Sequence, residues 1–280
     1  LALHLDSASR GTKAQYLLDF GYTPEILNRN FSLLDIDPGL LNGLILSHGH
    51  RDHYGGLEGF VNRHRTTMRD DISLIVGADE AFDVRWVKSK PLGQPDAEPE
   101  LVCWGAPDRT MLTAQKVDAI CCESPHALEG AFTSGYIKRS SFEEVTGGSM
   151  VGSVDHFSEA ERRGELQPDS HPEEHATCYV VRGRGLVVIS SCGHAGIVNS
   201  VKTAMTVSGV DKLHAVVGGF HLTTSKADYI SHTVDELEQL APDVVIPMHC
   251  TGANFIAAMR ERMPDRLVGS NLGSRFTFGV

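Results

Sequence analysis

Apolar, strand-like runs alternate with helix-like segments in both halves of this chain, and that alternation restricts it to an α/β (α+β) architecture. In the first half LALHLDS and AQYLLDFG read as strands joined by SASRGTK. Residues 24–34 read as a helix with Thr23 as its N-cap, and LNGLILS reads as a buried strand. A helix over 57–65, the strand ISLIVGAD and the strand-like KVDAICCESP follow. In the second half ATCYVVRG and RGLVVISSCG are strands around a glycine turn. Helices over 197–208, 228–240 and 253–262 then alternate with the strands KLHAVVGGF, DVVIPMH and SRFTFGV. Two related halves without a dividing linker imply a four-layer αββα sandwich in a single domain over 1–280. Residues 85–115 and 145–172 break the pattern and read as lid or pocket-wall insertions, with Trp86, Trp104, Phe142 and Met150 as candidate apolar lining.

Charge and cysteine usage narrow the function classes. Lys plus Arg number 25 against 36 Asp plus Glu, a net charge of −11, which disfavours a phosphate backbone as partner. No apolar run reaches the roughly 18 residues that span a bilayer. The six Cys form no CxxC pair, and reduced thiols in a cytoplasmic protein are the simpler reading. A chain opening on Leu1 leaves room for a cleaved leader upstream. The expectation is a small-molecule substrate, no nucleic acid and no membrane, with a homodimer allowed.

The chemistry concentrates directly after the buried strand LNGLILS, where SHGHRDHYGG supplies His48, His50, Asp52 and His53. Imidazole and carboxylate at this density suit one or two ions of Zn, with Mn or Fe as alternatives. Gly49, Gly55 and Gly56 read as room for the backbone to approach the ions. His194, His221 and His249 each follow an apolar strand, which points to convergence on one site. His194 and His249 are expected as ligands. Cys192 and Cys250, beside them, read as core or supporting residues, because neighbours on a strand point to opposite faces. Asp19, ending AQYLLDFG, is placed to orient a ligand histidine through its second N–H. His126 reads as a turn residue, and His4, His64, His156, His171, His175, His214 and His232 as surface or structural.

HGHRDH is similar to the HxHxDH signature of the metallo-β-lactamase superfamily, and LLDFG resembles the Asp motif that precedes it. SHGHRDHYGGL, AFTSGYIKRSSFEE, SSCGHAGIVNSV, VVGGFHL and IPMHCTG together resemble one branch. It comprises dihydropterin ribofuranosylaminobenzene phosphate synthases and MBL-fold metallohydrolases. The resemblance implies the αββα metallo-β-lactamase sandwich and a mono- or dinuclear centre. His48, His50 and a later His would hold one metal, and Asp52, His53 and His249 the second. His194 falls where the superfamily often has an acidic or thiolate bridge. The implied activity is hydrolysis of a small ester, lactone, phosphoester or activated aryl compound by metal-activated water. Asp52 would bind metal and orient the nucleophile, while His221 would give a hydrogen bond or proton to the substrate. A synthase of the pterin type is the alternative, and it would need an anion pocket to which Lys138, Arg139 and Lys202 could contribute. A non-enzymatic, metal-holding ligand sensor is the third reading.

Overall fold

A computed structural model of the chain describes residues 1–9, 11–90, 93, 96–152 and 166–279. Its strands are β1 (Leu3–Ser9), β2 (Thr12–Leu18), β3 (Gly43–Leu46), β4 (Ser73–Val76), β5 (Val84–Ser89), β6 (Glu100–Gly105), β7 (Asp118–Cys121), β8 (His126–Leu128), β9 (Ala131–Thr133), β10 (Met150–Gly152), β11 (Gln167–Pro168), β12 (Thr177–Val181), β13 (Gly185–Ser190), β14 (Leu213–Gly218) and β15 (Val244–Pro247). The helices are α1 (Pro24–Leu33), α2 (Arg51–Tyr54), α3 (Leu57–His64), α4 (Arg109–Ala114), α5 (Ile197–Ser208), α6 (Ala227–Leu240) and α7 (Ala253–Arg262). Two compact units emerge, one of Leu1–Leu5, Gln15–Cys121 and Gly147–Glu173, the other of Asp6–Ala14, Cys122–Thr146 and Glu174–Val280.

In the first unit β3 lies between β2 and β4 in a sheet ordered β1-β2-β3-β4-β7, with β2, β3, β4 and β7 parallel. All four residues of β3 are buried, as expected for a parallel strand covered on both faces. Leu44 and Leu46 pack with Leu27 and Phe31 of α1 and with Leu57, Phe60 and Val61 of α3. Phe31 and Phe60 meet edge-on, their ring centroids 4.7 Å apart. Fixing β3 in this core fixes where its last residue releases the chain, and His48 follows two residues later.

The second unit carries a sheet ordered β15-β14-β13-β12-β9-β8, in which β13, β14 and β15 run parallel. Alternation along β13 sends Leu186 and Val188 into a core shared with Ile197, Val198 and Val201 of α5, Val234 of α6, and Phe255 and Met259 of α7. Three adjacent strands therefore end on one edge of the sheet.

Two readings of the sequence need correction. Within 85–115 the chain forms the antiparallel β5–β6 pair and the short α4, and β5 also pairs with β10 in a sheet ordered β11-β10-β5-β6. The pattern looked weak because β6 is an edge strand with Leu101, Val102 and Cys103 exposed. Residues 274–279 form no strand. Leu267 already bridges Val245, and Val268 N–H donates to Val245 O at 2.9 Å, so that flank of β15 is taken. Residues 91, 92, 94, 95 and 153–165, which include part of each expected insertion and His156, lie outside the described residues.

Candidate metal centre

In the first unit the His48–His53 cluster is built on the ends of β2 and β3. Asp19, just past β2 and held at φ +61°, is fully buried and donates its own N–H to Ile45 O of β3. Its carboxylate accepts from the Ser47 N–H and from the Ser47 hydroxyl, each at 2.8 Å, and from His53 Nδ1 at 2.6 Å. Since the Ser47 hydroxyl donates to Asp19, the same oxygen accepts from His48 Nδ1 at 2.9 Å. One carboxylate thus orients two imidazoles, His53 directly and His48 through Ser47. Burial alone would raise the Asp19 pKa, but His53 and the Ser47 N–H hold it below the usual carboxylate range. Ser47 gave no sequence signal except its place before His48.

The rings are crowded. His48 lies with its centroid 4.2 Å from that of His53 and 4.8 Å from that of His50. Asp52 Oδ2 stands 3.6 Å from His53 Nε2, close to the spacing of two donors on one small cation with bonds of about 2.1 Å. His50 pairs through Nε2 with Ser149 Oγ at 2.9 Å. Burial, reinforced by the charges of His171, Arg85 and His53, keeps the pKa of His50 well below that of a free imidazole. The ring is therefore neutral, the form that binds metals. This donor set fits a divalent cation.

A buried polar network backs the cluster. His171, which the sequence offered as a surface or structural residue, is buried with its ring 4.9 Å from His50. It belongs to Asp169-Ser170-His171-Pro172-Glu173, whose alternate acid, imidazole and acid were the missed signal. Asp169 and Glu173 are bound by Arg85, its guanidinium fully buried, at 2.7 and 2.6 Å. Glu173 also accepts from the Gly49 N–H at 3.2 Å. A Cβ on Gly49 would stand 2.1 Å from Arg85 Nη1, and one on Gly55 or Gly56 would stand 2.3 or 2.2 Å from backbone oxygens. These glycines serve close packing of protein on protein, which corrects the reading of them as room for ions.

Of the expected apolar lining, Trp104 lies 5.5 Å from the His50 ring. Trp86 and Met150 are paired across β5 and β10. Phe142, in the second unit, packs against Tyr229 and His232 of α6.

In the second unit the ends of β13, β14 and β15 deliver Cys192 and His194, then His221, then His249 and Cys250. His194 is buried, and its Nδ1 donates to Thr146 O at 2.8 Å, which directs Nε2 to any ligand. Its ring lies 4.2 Å from that of His221. His249 is exposed. His221 and His249 both hold the left-handed backbone, at φ +49° and +50°. Such strain in non-glycine residues clusters at functional sites.

Cys192 is buried and Cys250 half-buried, and their sulfurs meet past the ends of their strands. Cys192 Sγ lies 3.2 Å from Cys250 Sγ and 3.3 Å from His221 Nδ1. The rule of opposite faces applies only inside a strand, and both cysteines come after their strands have ended. Donation from Cys192 outweighs burial and, with His221 and His249, brings Cys250 down to about 4. Among the cations considered for an anion pocket, Lys202 pairs with Glu236 at 2.8 Å, while Lys138 and Arg139 are exposed.

Two buried glutamates, also missed, fix the segment from His194 into α5. Glu174 accepts from the N–H groups of His194 and Ala195 at 2.9 and 2.6 Å. Glu143 accepts from the Asn199 N–H at 2.9 Å. Burial pushes the Glu143 carboxyl up to about 7, against the lowering effect of the Asn199, Val198 and Ile197 N–H donors and Ser141. A carboxyl whose folded pKa exceeds its unfolded value stabilises the fold while protonated. That contribution is complete below the unfolded pKa of about 4.3 and disappears as pH rises through about 7. Glu143→Gln keeps an acceptor for Asn199 and removes the titration. Its unfolding free energy relative to wild type should rise by about 2–3 kcal/mol between about pH 5 and pH 8. Urea titrations across that range check this, and parallel profiles for the two proteins would contradict it.

Known proteins are similar to this chain in sequence and in fold. The metallo-beta-lactamase superfamily model matches residues 10–67. A 7,8-dihydropterin-6-methyl-4-(beta-D-ribofuranosyl)-aminobenzene-5'-phosphate synthase of Methanocaldococcus jannaschii is 28% identical over 256 residues, covering 90% of this chain and 80% of the relative. An uncharacterized protein of the same organism is 24% identical over 253 residues, covering 88% and 82%. The crystal structure of a metal-dependent hydrolase of the beta-lactamase superfamily matches with a TM-score of 0.72 at 22% identity, over 96% of this chain and 94% of that one. Among the described residues no helix is long and apolar enough to cross a membrane.

Proposed function

Because this chain has the metallo-β-lactamase fold, we propose that it is a metal-dependent hydrolase of a small molecule carrying an ester, lactone, phosphoester or activated aryl group. The observation that carries the reading is the clamp on His53, whose Nδ1 meets Asp19 at 2.6 Å while its Nε2 faces Asp52 Oδ2 at 3.6 Å. A carboxylate behind the ring and a second carboxylate beside its other nitrogen is how ligand histidines are held. His48, His50, Asp52 and His53 would bind one or two cations, Zn first and Mn or Fe as alternatives, and the sequence pattern adds His194 and His249 as ligands. A bound cation supplies an acidified water and a Lewis acid. Asp52 orients the attacking oxygen, Asp19 and Ser47 keep the imidazoles in register, and Trp104 packs edge-on against the His50 ring.

The synthase reading stays as second because of the Methanocaldococcus relative. A panel of phosphomonoesters, phosphodiesters, lactones and aryl esters, run with Zn- and Mn-loaded protein, separates the two. Turnover of at least one class, lost in His50→Ala, is expected. Formation of the dihydropterin product with a silent panel selects the synthase, and silence in both assays refutes enzyme function.

A further inference from the structure

We infer that a groove at the starting ends of β14 and β15 binds a small organic anion with an aromatic body, an aryl carboxylate in kind. The segment 274–279, which reads as a strand in sequence, helps to form this groove instead of pairing. The groove has a volume of about 530 Å³, inside the roughly 300–1,000 Å³ of small-molecule pockets. It is remote from the candidate metal centre, so it stands or falls apart from the proposed activity. His194, His221 and His249 follow the finishing ends of β13, β14 and β15. These strands are four to six residues long, which separates their two ends by about 13–20 Å at about 3.3 Å per residue.

Alternation along β15 makes the floor. Val245 packs into the core shared with α6 and α7, so Val244 and Ile246 turn to the opposite face and line the groove. Val268 extends that floor, held beside β15 by its N–H to Val245 O. The chain then crosses the sheet. Phe278 meets the His214 ring of β14 edge-on, with centroids 6.1 Å apart. A Cβ on Gly279 would lie 3.1 Å from Cγ1 of Val181, the last residue of β12. Phe276 and Phe278, both half-buried, form an aromatic wall.

The rim is cationic. Arg184, in the turn before β13, and Arg275 border the groove and are exposed. Among the described residues neither forms an ion pair, although the chain carries a net charge of −11. Asp243, beside the groove, is already engaged by Lys212 and by His214 Nδ1. An aryl carboxylate matches this arrangement, its ring against Phe276 and Phe278 and its charge against the guanidinium rim. A second copy of the chain matches it less well, because a two-fold contact through this face would bring the same arginines together.

Fluorescence of 1-anilinonaphthalene-8-sulfonate, an aromatic anion, tests the groove in the full chain, with 2-naphthoate as competitor. Saturable binding of one probe per chain is expected. Displacement by 2-naphthoate should be at least about tenfold more effective than by the neutral 2-naphthamide. Arg184→Gln combined with Arg275→Gln should weaken 2-naphthoate at least about tenfold. Val244→Trp, which fills the groove, should abolish probe binding. Circular dichroism confirms that these variants are folded, and the exposed arginine pair is a test that leaves the core intact. His50→Ala, altered only in the candidate metal centre, should bind the probe as wild type does. The inference is overturned if wild type takes up no probe, or if binding survives in both groove variants. Loss of binding in His50→Ala would assign the anion to the metal centre and overturn it too. So would a dimer in size-exclusion chromatography that takes up probe only after Phe278→Asp splits it, since the groove would then belong to a second copy.

Discussion

Arg85→Ala is expected to lower the unfolding free energy by about 3–5 kcal/mol, the largest stability effect in the first unit. The guanidinium is fully buried and every direction of its fork is engaged. Nε and Nη2 bind Asp169 and Glu173 at 2.7 and 2.6 Å, and Nη1 donates to Glu80 O and Asp83 O, each at 3.1 Å. Arg85 pulls the Glu173 carboxyl far below its usual range even though burial pushes the other way. Removing the cation leaves two carboxylates buried without compensation. The cost also reaches the cluster, since Glu173 holds the Gly49 N–H between His48 and His50. Arg85→Met combined with Asp169→Asn and Glu173→Gln should recover part of the loss, because no charge is then stranded. Chemical denaturation reads the difference, and a loss below about 1 kcal/mol for Arg85→Ala would mean the network is solvated rather than buried.

Asp19→Asn should weaken metal binding about 10–100-fold while leaving the fold in place. The argument is one of tautomers. As a carboxylate, Asp19 only accepts, so His53 carries its proton on Nδ1 and presents Nε2 to a cation. An amide turned so that its oxygen keeps the Ser47 N–H offers its NH₂ to His53. That arrangement places the ring proton on Nε2 and withdraws the ligand atom. The Ser47 hydroxyl loses its acceptor as well, so His48 loosens in parallel. Competition with a chromogenic chelator measures the affinity, and unchanged binding in Asp19→Asn would remove Asp19 from its orienting role.

Much of this arrangement can be read from sequence where one physical rule dominates. Strand β3 reads directly as LNGLILS because both its faces are covered, and α5 and α7 coincide with their expected spans because their apolar faces meet a single core. The edge strand β6 escapes because exposed Leu101 and Val102 blur its alternation. SRFTFGV reads as a strand by local propensity, but pairing also requires a vacant neighbour, which no local window reports. In the cluster, His48, His50, Asp52 and His53 are legible because they are consecutive. Arg85, Asp169 and Glu173 are not, since their partnership spans more than eighty positions. The meeting of Cys192 and Cys250 is hidden for a different reason. Both lie beyond their strands, where the alternation rule no longer holds.

Metal content measured alongside turnover tests the central claim most directly. The purified chain should carry about one to two equivalents of Zn, Mn or Fe. Chelation should remove metal and activity in proportion, re-addition should restore both, and His50→Ala should retain little of either. Full activity in a chain shown by elemental analysis to be free of metal would contradict the account.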